Sequence, residues 1–394
     1  MIRIKADYIF PVSSSPIENG IIVVDNSTGK IIDLINNSKN IKKYDQYYSG
    51  VMVPGFVNAH CHLELSHMKG IVPTGTKLIP FISDIVTKRG ATKQQIQNAI
   101  QRADKEMFRN GIVAVGDISN TTDSFLQKSK SKIHYHTFVE MFDFLQDEKA
   151  SENFNHYIKV YNDLNTKGID KKSVVPHAPY SVSKSLFEKI NAQNNPFEIT
   201  VSIHNQETQP EIDLFRNKSG DIIPFYNNFG ISLDNFQANV TNSIDYALLN
   251  MDATKRTIFV HNTLTSEENI KAAQDKFKQT YWATCPNANL YIENNLPRYQ
   301  HFINQNAKVC IGTDSLSSNW GLSILEEMKT ISKYQSKIDF STLIKWATLN
   351  GAEALGMDAT IGSFEIGKIP GINIIDMKTK NMELDSKSKI RKII

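Results

Sequence analysis

From residue 51 onwards, the sequence alternates between short apolar runs and longer segments with helical spacing. In the segment 92–108, for example, apolar residues recur every three or four positions, which is typical of a helix packed on one face. Parallel strands that alternate with helices in this way close into a (β/α)8 barrel, so the pattern predicts an α/β fold of the TIM-barrel type. The runs that we predict as strands are 53–62, 111–116, 134–140, 173–177, 198–204, 257–261, 279–284 and 308–313.

Short strands at both ends of the chain lie outside this alternation. Residues 2–10 alternate between apolar and polar side chains, and two shorter strands are predicted before the alternation begins. So few strands cannot bury a core alone, and apolar runs such as 372–375 are available at the other end. We therefore predict a small β-sandwich formed by both termini, residues 1–51 and 363–394, beside a distorted barrel of residues 52–362.

The composition is that of an ordinary globular chain and excludes several classes of protein. Lysine and arginine exceed aspartate and glutamate only slightly, 44 against 41, which argues against a nucleic-acid partner. Three cysteines without a C-x-x-C pair argue against a disulfide framework. No apolar run reaches the length of a membrane span, and residues 1–10 lack a signal-peptide core. We expect a cytoplasmic protein with no membrane partner.

His60 and His62 stand two positions apart at the end of the first barrel strand, in the sequence NAHCH. Residues i and i+2 of a strand point to the same face, so both imidazoles can aim at one metal ion. The pair alone fits a metal site and two structural histidines about equally well. The residues at the other strand ends are therefore needed to distinguish these alternatives.

The other predicted strand ends carry further side chains that can bind a metal. The functional groups of a (β/α)8 barrel lie at the carboxyl ends of its strands, which meet at one face. A single histidine there is more often a hydrogen-bonded core residue, but imidazoles together with a carboxylate suit zinc or a similar divalent ion. The residues at these ends are His60, His62, His177, His204, His261 and Asp314.

Glu207 follows His204 by three residues, in the sequence HNQE. A carboxylic acid at this place could protonate a ring nitrogen and later pass a proton to a leaving group, whereas an ordinary loop carboxylate would form a salt bridge. We predict Glu207 as the acid and Asp314 as the base for an attacking water, whose pKa a metal ion would lower. His261 would polarise that water or a developing oxyanion.

Several motifs together resemble the amidohydrolase superfamily, in the subgroup with a single metal ion. The resemblance covers essentially the whole chain, including the tail TLNGAEALGMDATIGSFEIGK. It implies the distorted barrel with a β-sandwich from both termini. The motifs are PGFVNAHCH (54–62), HAPYSVS (177–183), HNQE (204–207), FVHNT (259–263) and GTDS (312–315).

The resemblance also implies a set of metal ligands and a reaction. One divalent ion is expected, Zn2+ or alternatively Fe2+, because no lysine that could bridge two ions stands at a predicted strand end. The H-x-x-E sequence after the fifth strand is similar to adenosine-type, methylthioadenosine/S-adenosylhomocysteine and aminodeoxyfutalosine deaminases, and HLELS is most similar to the last of these. The implied ligands are His60, His62, His204 and Asp314.

We therefore expect hydrolytic deamination of a small heterocyclic molecule, with a purine nucleoside derivative as substrate. Two alternatives stay open. The same metal site could hydrolyse an amide or a C–Cl bond, as in the related triazine chlorohydrolases, or the chain could be a non-catalytic binding paralogue. Dimers are common in the families that it resembles, and a homodimer is a further expectation. The exact substrate, the metal and the oligomeric state are not fixed by the sequence.

Four residues are predicted to contact the substrate. Glu64 has the same parity as the two histidines of the first strand, although a salt bridge is an equal alternative. His177 is similar to a substrate-contacting histidine of the deaminases. Ser318 and Trp320 follow the strand-eight aspartate closely, and for Trp320 packing is the alternative.

The sequence departs from the nucleoside deaminases at one place. In the segment 74–90 after strand one, TGTKLIPFISDIVTKRG, where these enzymes usually carry an acid that binds ribose hydroxyls, Asp84 is the only acidic residue. A long insert, residues 208–256, follows the fifth strand, and we expect it to cover the pocket and to influence specificity.

Overall fold

The computed structural model describes residues 1–36, 43–195, 198–234 and 236–394. In chain order the strands are β1 (Ile2–Ile9), β2 (Ile17–Glu18), β3 (Ile21–Val24), β4 (Ile31–Ile35), β5 (Gln46–Pro54), β6 (Phe56–Cys61), β7 (Ile112–Ser119), β8 (His134–Met141), β9 (Lys171–Pro176), β10 (Thr200–Asn205), β11 (Arg256–His261), β12 (Gln279–Thr284), β13 (Val309–Ile311), β14 (Ile372–Asp376) and β15 (Lys389–Lys392).

The helices fill most of the intervals between these strands. Short 3-10 helices occur at Leu63–Met68, Asp147–Lys149 and Pro179–Ser181. In chain order the α-helices are α1 (Leu78–Lys88), α2 (Lys93–Arg109), α3 (Phe125–Lys128), α4 (Ala150–Asp163), α5 (Lys184–Asn194), α6 (Gln209–Asn217), α7 (Ile222–Asn228), α8 (Ser243–Asn250), α9 (Glu267–Lys276), α10 (Pro286–Glu293), α11 (Tyr299–Asn304), α12 (Ile324–Tyr334), α13 (Phe340–Ala347) and α14 (Leu349–Leu355).

Strands β6 to β13 are the eight strands that the alternation predicts. They form two parallel four-stranded sheets, in the orders β6-β7-β8-β9 and β10-β11-β12-β13. Every residue of β6, β7 and β10 is buried, as expected for parallel strands that are covered on both faces. All eight strands run in one direction within their sheets, so their carboxyl ends lie on the same side.

The two parallel sheets also touch each other at both of their outer strands. Between β13 and β6, the backbone N–H groups of Thr313 and Asp314 each donate to His60 O at 3.0 Å. Gly312 permits this approach, since a Cβ atom there would lie 2.9 Å from the His60 Cβ. Between β9 and β10, the N–H of His204 donates to His177 O at 2.9 Å. These contacts bring residues of the first, fourth, fifth and eighth strands together.

The two ends of the chain build one mixed sheet with the order β15-β14-β5-β1-β3-β4, and β2 pairs with β1. Strand β5 is parallel to β1 and antiparallel to β14, where Ile374 lies opposite Met52. Ile4, Ile22 and Phe364 belong to an apolar cluster of this sheet that is separate from the main core. The C-terminal segment thus returns to the N-terminal strands, since β14 pairs with β5.

Two helix ends show how local chemistry sets the boundaries. A capping box of Thr92 and Gln95 starts α2, with both reciprocal hydrogen bonds. At α9 the capping box is Ser266 with Asn269, although Thr265 and Glu268 have the same spacing one residue earlier. Thr265 is buried and its Oγ1 lies 3.4 Å from Asn205 Nδ2, so its side chain faces the interior instead of the helix end.

Residues 341–355 have helical spacing throughout, but they belong to two helices, α13 and α14. The break falls at Thr348, whose φ of −133° and ψ of −86° are not helical. In α14, the Asn350 side chain donates to Val309 O of β13 at 2.7 Å. Gly356 ends α14 in a left-handed conformation, which glycine adopts without strain.

The segments that follow strands β6 and β10 lie over the carboxyl ends of the strands. The first carries α1, and the second is the predicted insert, which contains α6, α7 and α8. Among the residues that the structure describes, no helix is both long enough and apolar enough to cross a bilayer.

Lys392 of β15 provides a test of how the terminal sheet is packed. Burial lowers its pKa to about 8, and its Nζ lies 4.8 Å from the centre of the Phe108 ring at the end of α2. The unfolded chain keeps this proton up to a pH near 10.5, so the folded chain carries an unfavourable charge below pH 8. The stability contributed by this site therefore rises as the pH increases from about 8 to about 10.5.

We expect Lys392→Met to raise the free energy of unfolding at pH 7 by up to about 3 kcal/mol and to flatten its rise above pH 8. Urea unfolding measured at pH 7, 8, 9 and 10 tests this. Lys389→Met is the control, because Lys389 lies on the same strand and is exposed. Equal pH profiles for wild type and Lys392→Met would contradict the assignment.

Candidate active site

Four of the side chains predicted as metal ligands meet at the carboxyl ends of the strands. His60 Nε2 and His62 Nε2 lie 3.2 Å apart. The Asp314 Oδ1 atom is 3.7 Å from the first of these nitrogens and 3.5 Å from the second. His204 joins them, since its ring centre is 4.9 Å from that of His60. A fifth side chain, His261, has a nitrogen within 4.8 Å of those of His60 and His204.

Burial fixes the charge of these groups. It lowers the pKa of His62 to about 3 and that of His261 to about 4, and it lowers the pKa of His204 far below its ordinary value. Each imidazole is therefore neutral near pH 7 and has a lone pair to offer. Burial alone would raise the pKa of Asp314, but a hydrogen bond with His60 and the neighbouring imidazoles lower it well below its ordinary range. Asp314 is therefore ionised.

This donor set fits a divalent metal ion. Two ligands about 2.0–2.1 Å from a tetrahedral ion lie roughly 3.3 Å from each other, close to the observed separation of the two Nε2 atoms. Neutral imidazoles and one carboxylate are the ligands that zinc prefers. The His60 Nδ1 atom is buried without a hydrogen-bond partner among the described residues, so none of their hydrogen bonds to Nδ1 holds the ring in another orientation.

Neighbouring groups orient the other ligands. The Nδ1–H group of His204 donates a hydrogen bond to His177 O at 2.8 Å. This bond leaves the lone pair of Nε2 free for a metal ion. The hydroxyl of Ser318 donates to Asp314 Oδ2 at 2.6 Å. Ser318, predicted as a substrate contact, is thus placed behind the aspartate, where it holds the carboxylate.

The backbone at these positions is strained. His261 has a φ of 70°, Asn262 a φ of 59° and Asp314 a φ of 56°, all in the left-handed region. Non-glycine residues adopt this conformation only when surrounding contacts require it. At β11 the contacts come from the Asn262 side chain, which donates to Phe259 O at 2.8 Å and to Ala283 O at 3.2 Å. The turns direct the side chains of positions 261 and 314 towards the site.

Glu207 lies beside His261, and its carboxyl group has a raised pKa. Its Oε2 is 3.7 Å from His261 Nε2. Burial, with a further contribution from Asp314, raises the pKa of Glu207 well above its ordinary value. His261 Nδ1 is 2.8 Å from Asn289 Oδ1, and this bond leaves the lone pair on Nε2. The site therefore combines a carboxyl group whose environment favours its protonated form with a neutral imidazole that can accept a proton or a hydrogen bond.

A cavity of about 300 Å³ opens above these groups. Its floor includes the metal-site side chains, and its walls are mainly apolar residues of α1, of α7 and of the turn after β8. The predicted role of the insert as a cover agrees with the position of α7. Such walls suit a flat, largely apolar small molecule with polar atoms at one end. The main wall residues are Leu78, Phe81, Ile82, Phe142, Phe144, Ile222, Phe225, Tyr226 and Phe229.

Of the other predicted substrate contacts, Glu64 and His177 line the cavity, whereas Trp320 does not. Its side chain is 56% exposed and packs against the Tyr291 ring at 5.3 Å. The physical reason is Asn319, whose side chain is drawn inwards by hydrogen bonds to Thr313 O and to a buried glutamate, so that the next residue points outwards. The expected contact of Trp320 with the substrate is thus corrected.

Glu140 is a cavity residue to which the sequence analysis assigned no role. It is 2% exposed, and burial raises its pKa to about 8. Asn120 joins it to Glu64, because the Asn120 N–H donates to Glu64 Oε2 at 3.1 Å and the side-chain amide donates to Glu140 Oε2 at 3.3 Å. Glu140 Oε1 has no hydrogen-bond partner within the described part of the chain. Its only signal in the sequence is its position at the end of a predicted strand.

Asp84, the acid that follows strand one, does not reach the cavity. It pairs with Lys88 at 2.8 Å on the surface of α1. The acids of the cavity wall are instead Glu64, in the 3-10 helix directly after β6, and Glu140, near the end of β8.

The comparisons with known proteins agree with this geometry. The 5'-deoxyadenosine deaminase of Methanobrevibacter smithii is 26% identical to this chain, over an alignment that covers 98% of this chain and 86% of that protein. The structure of Helicobacter pylori aminofutalosine deaminase with methylthio-coformycin has a TM-score of 0.80 at 24% identity, and covers 96% of this chain and 93% of that one.

A second solved structure adds a metal ion. The adenosine deaminase of Xanthomonas campestris with bound zinc has a TM-score of 0.74 at 20% identity, and covers 96% of this chain and 85% of that one. These similarities show a TIM-barrel-like α/β fold. The sequence model of the amidohydrolase family matches residues 51–394. Because this match spans most of the sequence, the chain belongs to the amidohydrolase family.

Proposed function

We propose that this protein is a metal-dependent hydrolase that removes the amino group of an aminated N-heterocycle as ammonia. The observation that carries the proposal is the Glu207 carboxyl, which lies 3.7 Å from His261 and lines the floor of an apolar cavity together with Asp314, in surroundings that raise its pKa. The deaminase relatives support it. A purine nucleoside derivative, similar to 5'-deoxyadenosine or aminofutalosine, is the substrate class that we favour.

Glu207 favours a heterocycle over an amide or a C–Cl bond. A protonated carboxyl can donate to a ring nitrogen, which makes the adjacent amino-bearing carbon more electrophilic. A simple amide has no ring nitrogen to receive this proton. The apolar walls of α1 and α7 also suit the faces of an aromatic ring.

One divalent ion, zinc or alternatively iron(II), would be held by His60, His62, His204 and Asp314. When bound, it supplies a Lewis acid that makes water nucleophilic near neutral pH. Asp314 takes a proton from the attacking water, while Ser318 keeps its carboxylate in place through the 2.6 Å hydrogen bond. His261 orients the water through the lone pair on Nε2. In this tautomer Nδ1 carries the proton, so Nε2 can accept a hydrogen bond from the water but cannot donate one to an oxyanion.

The atoms of the reaction balance with these roles. Glu207 gives its proton to the ring nitrogen while the water oxygen bonds to the amino-bearing carbon. The C–N bond then breaks, and the amino group leaves as ammonia with the proton that Asp314 had accepted. The added oxygen becomes a carbonyl as its remaining proton passes to the ionised Glu207, and the ring nitrogen keeps the proton that Glu207 had donated.

The cavity wall would bind the remainder of the substrate. Glu64 and Glu140 each have one oxygen engaged by Asn120, and their Oε1 atoms can accept hydrogen bonds from sugar hydroxyls. His177 lines the same wall. Arg89 Nη2 lies 4.0 Å from Glu64 Oε1 at the mouth and balances part of the acidic charge.

We further infer that the two parallel sheets form one distorted (β/α)8 barrel of residues 52–362. The hydrogen bonds at both pairs of outer strands support this closure. The terminal sheet, residues 1–51 and 363–394, would then be the small β-sandwich that the sequence predicts. Its separate apolar cluster supports an accessory unit.

The first prediction concerns the metal ligands. We expect the wild type to bind about one zinc ion per chain, and Asp314→Asn to weaken binding at least about 100-fold, because the amide replaces an anionic ligand. Competition with a chromophoric chelator measures the affinity. Asp275→Asn is the control, since that side chain is 65% exposed and pairs only with Lys271 among the described residues. Unchanged zinc affinity in Asp314→Asn would refute the ligand assignment.

The second prediction concerns the reaction itself. Zinc-loaded wild type should release ammonia from at least one of adenosine, 5'-deoxyadenosine, S-adenosylhomocysteine and aminodeoxyfutalosine. Glu207→Gln should lower kcat by about 100- to 10,000-fold without loss of zinc, because the amide cannot donate an acidic proton. A coupled ammonia assay measures both enzymes, and Glu188→Gln, an exposed change on α5, is the control. Near-normal turnover in Glu207→Gln would exclude the proposed acid.

The third prediction concerns the cavity wall. At pH 9 the wild-type Glu140 carboxyl, with its pKa of about 8, is ionised. In Glu140→Gln at this pH, the amide oxygen should face the Asn120 donor, which places an NH2 group where the acceptor Oε1 now lies. We expect kcat/KM for adenosine to fall about tenfold or more, and kcat/KM for 2',3'-dideoxyadenosine to change less than twofold. Steady-state kinetics with both nucleosides test this. An equal loss for the two substrates would show that Glu140 does not recognise the sugar.

A further inference from the structure

The short segment between His204 and Glu207 does not continue strand β10. Gln206 has a φ of 46°, so the chain turns sharply in the left-handed region just before the acid. The N–H groups of Gln206 and Glu207 consequently point away from the neighbouring strand β11 and need another acceptor.

The acceptor is Glu211, in the first turn of α6. Its Oε1 accepts from the Gln206 N–H at 2.9 Å, and its Oε2 accepts from the Glu207 N–H at 3.1 Å. The side chain is completely buried. Within the described part of the chain no salt bridge of Glu211 is found. Both carboxylate oxygens are therefore used to hold the backbone of the turn.

We propose that Glu211 is a positioning residue that sets the place of the Glu207 carboxyl relative to the metal ligands. The inference rests on the proposed function, in which Glu207 is the acid. Two hydrogen bonds to consecutive N–H groups fix the plane of the peptide between residues 206 and 207, and this plane determines the direction in which the Glu207 side chain leaves the backbone.

Proton transfer depends strongly on distance, so the exact position of the Glu207 carboxyl matters for the rate. A proton donor must come within about 2.6–3.2 Å of the atom that it protonates. A displacement of about 1 Å at a reacting group can cost about 100-fold in rate. Rotation of a single peptide plane moves the end of a glutamate side chain by such a distance, whereas His204 lies on the regular strand before the turn.

Other contacts hold the outer parts of the turn, so the loss of Glu211 should not unfold it. The Leu264 N–H donates to Gln206 O at 3.0 Å, and the Gln206 side chain donates to Asn242 Oδ1 at 2.8 Å. On the other side, Thr208 Oγ1 donates to Glu293 Oε1 at 2.9 Å. The two N–H groups beside the acid are the part of the turn that depends on Glu211.

The test is Glu211→Gln in the zinc-loaded protein. The amide presents an NH2 group to one of the two backbone N–H groups, so one hydrogen bond becomes a repulsive donor–donor contact. We expect kcat for the best nucleoside substrate to fall about 10- to 100-fold, while KM and zinc content stay within about threefold of wild type. A structural defect alone would not separate kcat from KM in this way.

Asp104→Asn is the matched control. Asp104 is also a buried acid with several hydrogen bonds, from Tyr135, Gln127 and Ser131, but it lies on α2, beside the amino-terminal end of β8 and thus at the opposite end of the strands. It should lose thermal stability to a similar extent and keep its kcat. If Glu211→Gln retains kcat within twofold, or loses zinc in proportion to activity, the positioning role is wrong.

Two further measurements test the role of Glu211 without relying on Glu211→Gln alone or on the proposed function. Glu211→Asp keeps the charge but is one methylene too short to bond both N–H groups, so the same loss of kcat is expected. Crystal structures of wild type and variant show directly whether the Glu207 carboxyl moves by about 1 Å. Absence of deamination by the wild type would refute the function, whereas an unmoved Glu207 in the variant would refute the role of Glu211.

Discussion

Two backbone hydrogen bonds to one carbonyl oxygen join the first and last strands of the parallel sheets. The N–H groups of Thr313 and Asp314 both donate to His60 O at 3.0 Å. Because His60 and Asp314 are also candidate metal ligands, the same junction that brings the strands together sets the distance between an imidazole and a carboxylate. The absence of a side chain at Gly312 permits this approach. The remaining ligands and the acid are arranged around that fixed pair.

Burial then gives the clustered groups different charges. The imidazoles become neutral because a positive charge is costly in a dry site that contains several of them. Burial raises the pKa of Glu207 for the corresponding reason, and the neighbouring charge of Asp314 raises it further, so the protonated form is favoured. Asp314 stays ionised because His60 and Ser318 contact its two oxygens. One environment thus yields lone-pair donors, an anion and an acid, which are the parts that a hydrolytic deamination requires.

The metal-binding side chains at the strand ends could be predicted from the sequence, because their placement depends only on the strand that carries them. A histidine or aspartate at the end of an apolar run is placed at the common face by the strand itself, as for His204 and Asp314. Glu207 could be found from its spacing to His204. Glu140 could not be given a role, because its importance depends on Asn120, which comes from the preceding strand. Trp320 was misjudged because the inward contacts of Asn319 are invisible in the sequence.

The left-handed residues at the strand ends have a consequence for how the protein tolerates change. Gln206, His261 and Asp314 each have a backbone conformation that costs a non-glycine residue about 1–3 kcal/mol. Glycine would relieve this cost at every one of the three positions. Random variation followed by selection for heat resistance alone would therefore favour the removal of the reacting groups. Natural selection for catalytic activity has to oppose that trend. The thermal stability of a variant is therefore a poor guide to its activity in this enzyme.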